Sequence, residues 1–396
     1  MENIKTLKDF DFKDKRVLIR TDYNVPIDSN GKITNSKRII DSVKTIKYLL
    51  KNNVKQITII THFGRPKNRD EKLKTDVIAK KLTEILNINV KKLNSWEKNE
   101  NEDSKIVMYE NLRFNDFEKH EDEEKRDEFA KLLIKGNDIF VMEAFSNMHR
   151  KKEASMSSII KFIPSCIGFL VEREISTINN ALNHPKRPYI AIIGGLKGDK
   201  IDSIENIMQY ADKIIVGGTL GFLFNHVMGI NIGKTKIDYE KINKAKELIK
   251  NDFDNKLVIP IDCVIADSFS NDSNFREVNI DNIDDDFMAL DIGRKTIKLY
   301  CDLLSNSKTI TWNGPIGVFE FENFSNGTKK ISESIVDATK NNAITIIGGG
   351  DSAAAIELFN YQDKVSFVSS GGGASLMMFE RKELPILKLL KKYSNN

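Results

Sequence analysis

The stretch AITIIGGGDSAAA (Ala343–Ala355) joins a short apolar run to three glycines, an aspartate and a row of small helix-forming residues. That is the outline of a buried strand turning directly into a helix. The outline recurs in VSFVSSGGGASL (Val365–Leu376), in YIAIIGGLKGDK (Tyr189–Lys200) and in KIIVGGTLGF (Lys213–Phe222). Glycine lets backbone N–H groups come close to a ligand, and a following helix adds its positive end. One such pair is equally well explained by a strand packed tightly on a helix. Four in one half of the chain, two of them GGG, point to a phosphate-rich ligand lying across the strand ends.

Outward from these turns, β-branched runs alternate with longer amphipathic segments almost throughout. RVLIRTD, QITIITH, KIVMYEN and DIFVMEA read as strands in the first half. Between the first two, NSKRIIDSVKTIKYLLKNN reads as a helix with an apolar face at Ile39, Ile40, Val43, Ile46, Leu49 and Leu50. Continuous apolar strands flanked by helices indicate an α/β chain with parallel sheets covered on both faces. The segment CIGFLVEREISTINNALNHPKRP reads as one connecting helix, stopped by Pro185 and Pro188. This places a first lobe at 1–165, a connector at 166–187 and a second lobe from 188. The charged run Lys119–Glu128 reads as the wet start of a helix.

At 396 residues the chain is long enough for two or three domains, and its net charge of +4 says little about partners. Its Lys-rich pieces are short and lack interleaved aromatics, so no nucleic-acid groove is expected. The most apolar stretch, SIIKFIPSCIGFLV, is broken by Lys161 and Pro164 and is too short to span a bilayer. No secretory apolar core follows the N-terminus. Cys166, Cys263 and Cys301 fit neither a disulfide framework nor a zinc site. They suit a reducing cytosol, so a cytoplasmic location is expected.

Ligands of open parallel sheets bind beyond the carboxyl ends of the strands. The first half places Arg20, Asp22 and Asn24 there, then His62 and Arg65, Arg113, and His149 with Arg150; Arg38 opens the helix after the first loop. Arginines at successive strand ends make an anion site, because guanidinium pairs bidentately with carboxylate or phosphate. In the second half Lys197 and Lys200 follow one glycine turn, where they could reach phosphates. Asp351 and Ser352 follow another, a position suited to magnesium held between carboxylate and phosphate oxygens. GINIGKT (Gly229–Thr235) imitates a phosphate loop but has one residue too few between its glycines and no strand feeding it, so it reads as a turn. An anion site on one lobe and a magnesium nucleotide on the other imply phosphoryl transfer across a cleft. An attacking carboxylate is already ionised, which is consistent with the absence of an obvious base.

Over essentially its whole length, from LKDFDFKDKRVLIRTDYNVP to SSGGGASLMMFERKELP, the chain resembles the phosphoglycerate kinase family. DCVIADSFS, LDIGRKT, TWNGPIGVFEFENFSNGT and IIGGGDSAAA look like that family's signatures, in its order. The resemblance implies two Rossmann-like three-layer lobes, with residues 188–375 binding nucleotide and 376–396 returning to the first lobe. It implies reversible transfer between the acyl phosphate of 1,3-bisphosphoglycerate and ADP, and a monomer that bends about its hinge. By matching motif, Asp22 and Asn24 would hold the glycerate end, with Arg20, Tyr23, Phe63 and Gly64 in the same signatures. His62, Arg65, Arg113 and Arg150 would hold the stable phosphate, and Arg38 would lean toward the carboxyl group and the moving phosphoryl. Lys197 would neutralise that phosphoryl, and Lys200 and Asn313 would contact the nucleotide phosphates. Glu320 would accept from the ribose, and Asp351 would hold magnesium with Ser352 beside it. Gly217, Gly218 and Gly293 would line the adenine pocket. Gly195, Gly349 and Gly350, with Gly371, Gly372 and Gly373, would present backbone to the phosphates and the transferring group.

Four features depart from the family pattern. Lys197 and Lys200 are one residue closer together than usual. Met142-Glu143 stands where the family has Asn-Asp, an extra residue follows Arg150, and Arg294 replaces a proline. Two other readings stand beside the active kinase: a nucleotide-binding scaffold without turnover, and a kinase for an unphosphorylated acid such as acetate or aspartate.

Overall fold

The computed structural model of the chain describes residues 4–97, 103–195 and 200–393. The chain divides into two compact units, Met1–Ser176 together with Glu383–Asn396, and Thr177–Lys382.

In the first unit, strands β1 (Arg16–Thr21), β2 (Gln56–Thr61), β3 (Val90–Lys92), β4 (Ile106–Met108), β5 (Ile139–Glu143) and β6 (Ser165–Ile167) form a wholly parallel sheet. Their order is β3-β4-β2-β1-β5-β6. Helices α1 (Lys37–Lys51), α2 (Asp76–Leu86) and α3 (Glu123–Ile134) connect the strands. Alternate residues explain the apolar runs. Val17 and Ile19 join the core built with Ile39, Ile46 and Leu49 of α1 and Ile78 and Leu82 of α2, while Leu18, facing the other way, is equally buried. A strand buried on both faces has no polar side to show. The α1 stripe is narrower than the sequence suggests: Ile40 is 53% exposed, because it lies a hundred degrees around the helix from Ile39.

The second unit repeats the scheme. Strands β7 (Tyr189–Ile193), β8 (Lys213–Val216), β9 (Leu257–Val258), β13 (Thr309–Asn313), β14 (Ile344–Gly348) and β15 (Phe367–Val368) form a parallel sheet in the order β15-β14-β13-β7-β8-β9. A small antiparallel sheet, which the sequence reading did not anticipate, inserts between β9 and β13. It comprises β10 (Asp262–Ala266), β11 (Phe275–Asn279) and β12 (Met288–Ile292) in the order β11-β10-β12. β11 (FREVN) is mostly exposed, so it lacks the buried run by which the other strands are recognised. Helices α5 (Ile201–Met208), α6 (Gly218–Val227), α7 (Ile242–Lys250), α8 (Arg294–Ser305), α9 (Asn326–Lys340), α10 (Gly350–Leu358) and α11 (Gly373–Phe379) complete the unit. Gly229–Thr235 follows α6 as a turn, with no strand before it.

Two boundaries differ from the sequence reading. The connecting helix α4 spans Phe169–Leu182 and ends before Pro185, but Cys166 and Ile167 belong to β6, paired with Val141 and Met142. At the other end α11 stays in the second unit, and the chain rejoins the first only from Glu383. There α12 (Pro385–Lys392) buries Ile386, Leu387 and Leu390, and the Ile386 N–H donates to the Met148 carbonyl at 3.4 Å.

Candidate active site

In both parallel sheets the strand order reverses at one point, between β1 and β5 in the first unit and between β7 and β13 in the second. A crevice opens beyond the carboxyl ends at such a point. The loops after β1 and β5 carry Asp22, Asn24, Ser146 and Arg150; that after β7 begins with Gly194 and Gly195, and that after β13 carries Gly314–Glu320.

Strand parity sorts the first unit's residues. Arg20 shares a face with Leu18, turned away from α1, and is fully buried. Its Nε donates to Ser155 Oγ at 3.0 Å, one Nη donates to the Thr21 carbonyl, and the other lies 3.2 Å from His62 Nδ1 and 3.7 Å from Glu153 Oε2. Arg20 therefore underlies the site and orders its other members. Tyr23 and Phe63 are also core residues, Tyr23 with its hydroxyl 2.5 Å from Ser42 Oγ. Asp22, just past the strand, accepts from Arg38 Nη1 and Ser146 Oγ. Asn24 Oδ1 receives the Gly64 N–H at 2.8 Å, and the Gly64 carbonyl receives Arg113 Nη1. Asn111 ties the same loop by accepting the Phe63 N–H at 3.1 Å. These bonds hold the loop that carries Arg65 and fix Arg113; with Arg150, both line a cavity of about 570 Å³, lined also by Lys67, Asn115, Asp116, Glu118 and Lys119.

Burial would raise the Asp22 carboxyl, but Arg38, His62, the Ser146 hydroxyl and Arg20 together hold it well below the usual carboxylate range. Burial drives the His62 ring well below its ordinary value, with Arg20, Arg113 and Arg150 acting the same way and Asp22 opposing. His62 is thus neutral at pH 7. Burial, then repulsion from Arg150, brings Arg113 down to about 10, and it remains a cation. Arg113 Nε is buried and has no hydrogen-bond partner among the described residues, a donor available to a ligand.

In the second unit the glycine turns are laced to one another. Lys200 Nζ donates to the Gly194 carbonyl at 2.8 Å. A Cβ on Gly314 would stand 2.3 Å from that Nζ and 2.0 Å from the Gly194 oxygen, so only glycine fits. The Gly314 N–H donates to Ser352 Oγ at 2.6 Å, and Ser352 donates to the Gly348 carbonyl at 3.1 Å. Ser352 is fully buried and binds loop to helix. Gly349 N–H donates to the Gly371 carbonyl at 2.9 Å, and Asn313 Nδ2 to that of Gly372 at 3.5 Å. At Gly217 and Gly293 close packing accounts for the missing side chain: a Cβ would stand 2.4 Å from Ile316 and 2.4 Å from the Asp262 carboxylate. Gly350 is the reverse: among the described residues nothing lies within 4 Å of its Cβ position, and across from it a Cβ on Gly372 would meet, among those residues, only the Gly350 nitrogen at 3.9 Å. Asp351 and Gly373 are exposed beside it, Gly195 and Gly349 lie buried within the turns, Gly218 begins α6, and Glu320 is exposed after β13. Lys197 lies outside the described residues.

Sequence reasoning passed over Lys119, Glu118, Glu153, Ser146 and Ser155. Their signals were weak: Lys119 was read as part of a wet charged run, and Glu153 follows the extra residue after Arg150. Two of the departures now have physical accounts. Met142 is a buried strand residue, and Glu143 accepts the Leu170 N–H at 3.2 Å at the start of α4, with Thr45 Oγ1 donating to the same oxygen. Arg294 N and Nε both donate to Glu277, at 3.1 and 2.8 Å.

Comparison with known proteins adds a second line. The model of the family described as phosphoglycerate kinase matches residues 7–382. The phosphoglycerate kinase of Finegoldia magna is 43% identical over 397 residues, covering 97% of this chain and 98% of that one. That of Fusobacterium nucleatum is 42% identical, covering 96% and 98%. Among solved structures, the phosphoglycerate kinase of Coxiella burnetii superposes with a TM-score of 0.84 at 34% identity, covering 99% and 100% of the two chains. The enzyme of Pyrococcus horikoshii OT3 gives 0.85 at 29%, covering 98% of each.

Proposed function

This chain belongs to the phosphoglycerate kinase family, and we propose that it catalyses reversible phosphoryl transfer between 1,3-bisphosphoglycerate and ADP, giving 3-phosphoglycerate and ATP. The observation that carries the reading is the cavity in the first unit lined by Arg65, Arg113 and Arg150; the bare backbone of the glycine turns in the second unit supports it separately.

The stable phosphate sits on Arg65, Arg113 and Arg150, with the neutral ring of His62 beneath. Asp22 and Asn24 hold the glycerate hydroxyl end. Arg38, now paired with Asp22 and a third exposed, turns to the carboxyl group and the incoming phosphoryl. The nucleophile is a carboxylate, ionised at pH 7, so no general base is required. Catalysis is then positioning and charge stabilisation. Lys197 and the N–H groups around Gly350, Gly372 and Gly373 meet the phosphoryl in flight. Lys200 and Asn313 hold the nucleotide's phosphates, and Glu320 its ribose.

Magnesium fits the residues present. Asp351 is an exposed carboxylate next to Gly350, whose Cβ position has no neighbour within 4 Å among the described residues, and among those residues no three acidic, histidine or cysteine side chains cluster as a cage. An ion there would take most of its ligands from phosphate oxygens and neutralise their charge. None of the described helices is long and apolar enough to cross a membrane, and the three cysteines are free. A cytosolic monomer completes the proposal, and light scattering gives the mass that checks it.

The test is a coupled assay of ATP consumption. Turnover with 3-phosphoglycerate and none with acetate or aspartate is expected. Nucleotide binding without turnover would favour a scaffold, and activity on the unphosphorylated acids a different kinase.

A further inference from the structure

Two neighbouring side chains after Arg113 line the same cavity, one buried and one half exposed. Asn115 caps a short helical turn, Asp116–Lys119, by accepting the Phe117 N–H at 2.9 Å. Glu118 on that turn is buried and accepts from Ser155, the hydroxyl at 2.6 Å and the N–H at 3.1 Å. Lys119, beside it, is half exposed and lines the cavity with Arg65, Arg113, Arg150 and Glu118 itself. Its Nζ lies 3.4 Å from Glu153 Oε1, the same oxygen that receives Arg150 Nη1 at 2.7 Å. The other oxygen of Glu153 is 3.7 Å from Arg20.

We propose that Lys119 is a further phosphate-gripping cation of this site, aimed into the cavity by Glu153 as its positioning residue. The inference rests on reading the cavity as the seat of the substrate's phosphate.

Because Lys119 and Arg150 share one oxygen, their nitrogens lie close enough to serve one phosphoryl group. Glu153 is almost fully buried and cannot follow a ligand, whereas the Lys119 side chain is 48% exposed and can. Glu153 also removes one positive charge from the arginine cluster; Lys119 restores it on the side the ligand approaches. Burial, with Arg113 and Arg150 close by, lowers the Lys119 ammonium from its ordinary value, a crowding of like charge that a phosphomonoester dianion relieves. Glu118 stays out of this exchange: its buried carboxyl is pushed up by burial and by the charge of Glu153.

The test is calorimetric binding of 3-phosphoglycerate, inorganic phosphate and ADP to the full chain and three variants. Lys119→Gln should weaken both phosphate ligands about three- to tenfold, as expected for one half-screened charged contact, and leave ADP unchanged. Its affinity for 3-phosphoglycerate should also depend less steeply on salt. Lys119→Arg should recover most of the loss. Lys152→Gln makes the same charge change at a residue paired with Glu121 outside the cavity, and should bind as the natural chain does. The proposal is overturned if Lys119→Gln binds like the natural chain or like Lys152→Gln, if the arginine variant recovers nothing, or if the natural chain binds neither phosphate ligand. Should the natural chain bind 3-phosphoglycerate and show no turnover, the kinase reading fails while the role of Lys119 stands.

Discussion

Asp22 Oδ1 stands 3.8 Å from His62 Nε2, on the side of the ring opposite Arg20. Arginine can only donate, so the ring nitrogen 3.2 Å from Arg20, Nδ1, is the acceptor, and the proton of the neutral ring is on Nε2, facing Asp22. The histidine is locked in one tautomer by a donor behind it and an anion in front.

That arrangement fixes its titration. The folded His62 lies well below 6.5, so its contribution to stability is present above the unfolded value and is lost as pH falls below it. Nitrogen NMR should show His62 as the neutral Nε2–H form from pH 8 down to pH 6. A protonation step near 6.5 would refute the account of its surroundings.

Glu143 gives the opposite sign. Burial pushes its carboxyl up to about 7, against Thr45, the N–H groups of Leu170 and Val171, and Arg173. The folded chain therefore keeps a proton there that the unfolded chain loses near 4.5, and stability falls as pH rises between those values. Glu143→Gln cannot ionise and lacks this decline. Urea midpoints should show the natural chain losing on the order of 3 kcal/mol relative to the variant from pH 4.5 to 7.5. Parallel curves would show that Glu143 does not titrate in that window.

The role of Glu143 marks a limit of sequence reading. The parallel strands were legible because burial on both faces leaves an uninterrupted apolar run, as in IFVM at the start of β5. The arginines were legible because they stand just past such runs. Glu143 was visible only as a departure from the family pattern. Its task depends on Thr45, ninety-eight residues earlier, and on Gly168, where a Cβ would lie 2.0 Å from the Glu143 carboxylate. Arg20 stands at the end of β1, where position alone suggests a ligand contact, but strand alternation turns it inward and buries it.

Asp351→Asn removes a charge from the proposed magnesium position without adding bulk. The magnesium concentration for half-maximal turnover should rise about tenfold, the scale of one lost carboxylate ligand, and calorimetry should show ADP affinity no longer strengthened by magnesium. An unchanged metal dependence in both would remove Asp351 from the metal site.

Transfer requires the two bound substrates to meet. The division between the units falls within α4, after Ser176, and we propose that movement about this helix brings them together. X-ray scattering with both substrates should report a smaller radius of gyration than with either alone. Identical profiles would rule the movement out.

The account stands on one assignment, the phosphorylated acid to the first unit and the nucleotide to the second. Measuring the affinities of 3-phosphoglycerate and of magnesium ADP for Arg113→Ala and Asp351→Asn tests it most directly. Arg113→Ala should lose at least tenfold for 3-phosphoglycerate and nothing for the nucleotide, since it forfeits a charged hydrogen-bonding partner in a partly buried site. Asp351→Asn should do the reverse. If either variant weakens the other unit's ligand, or both ligands equally, the assignment is wrong.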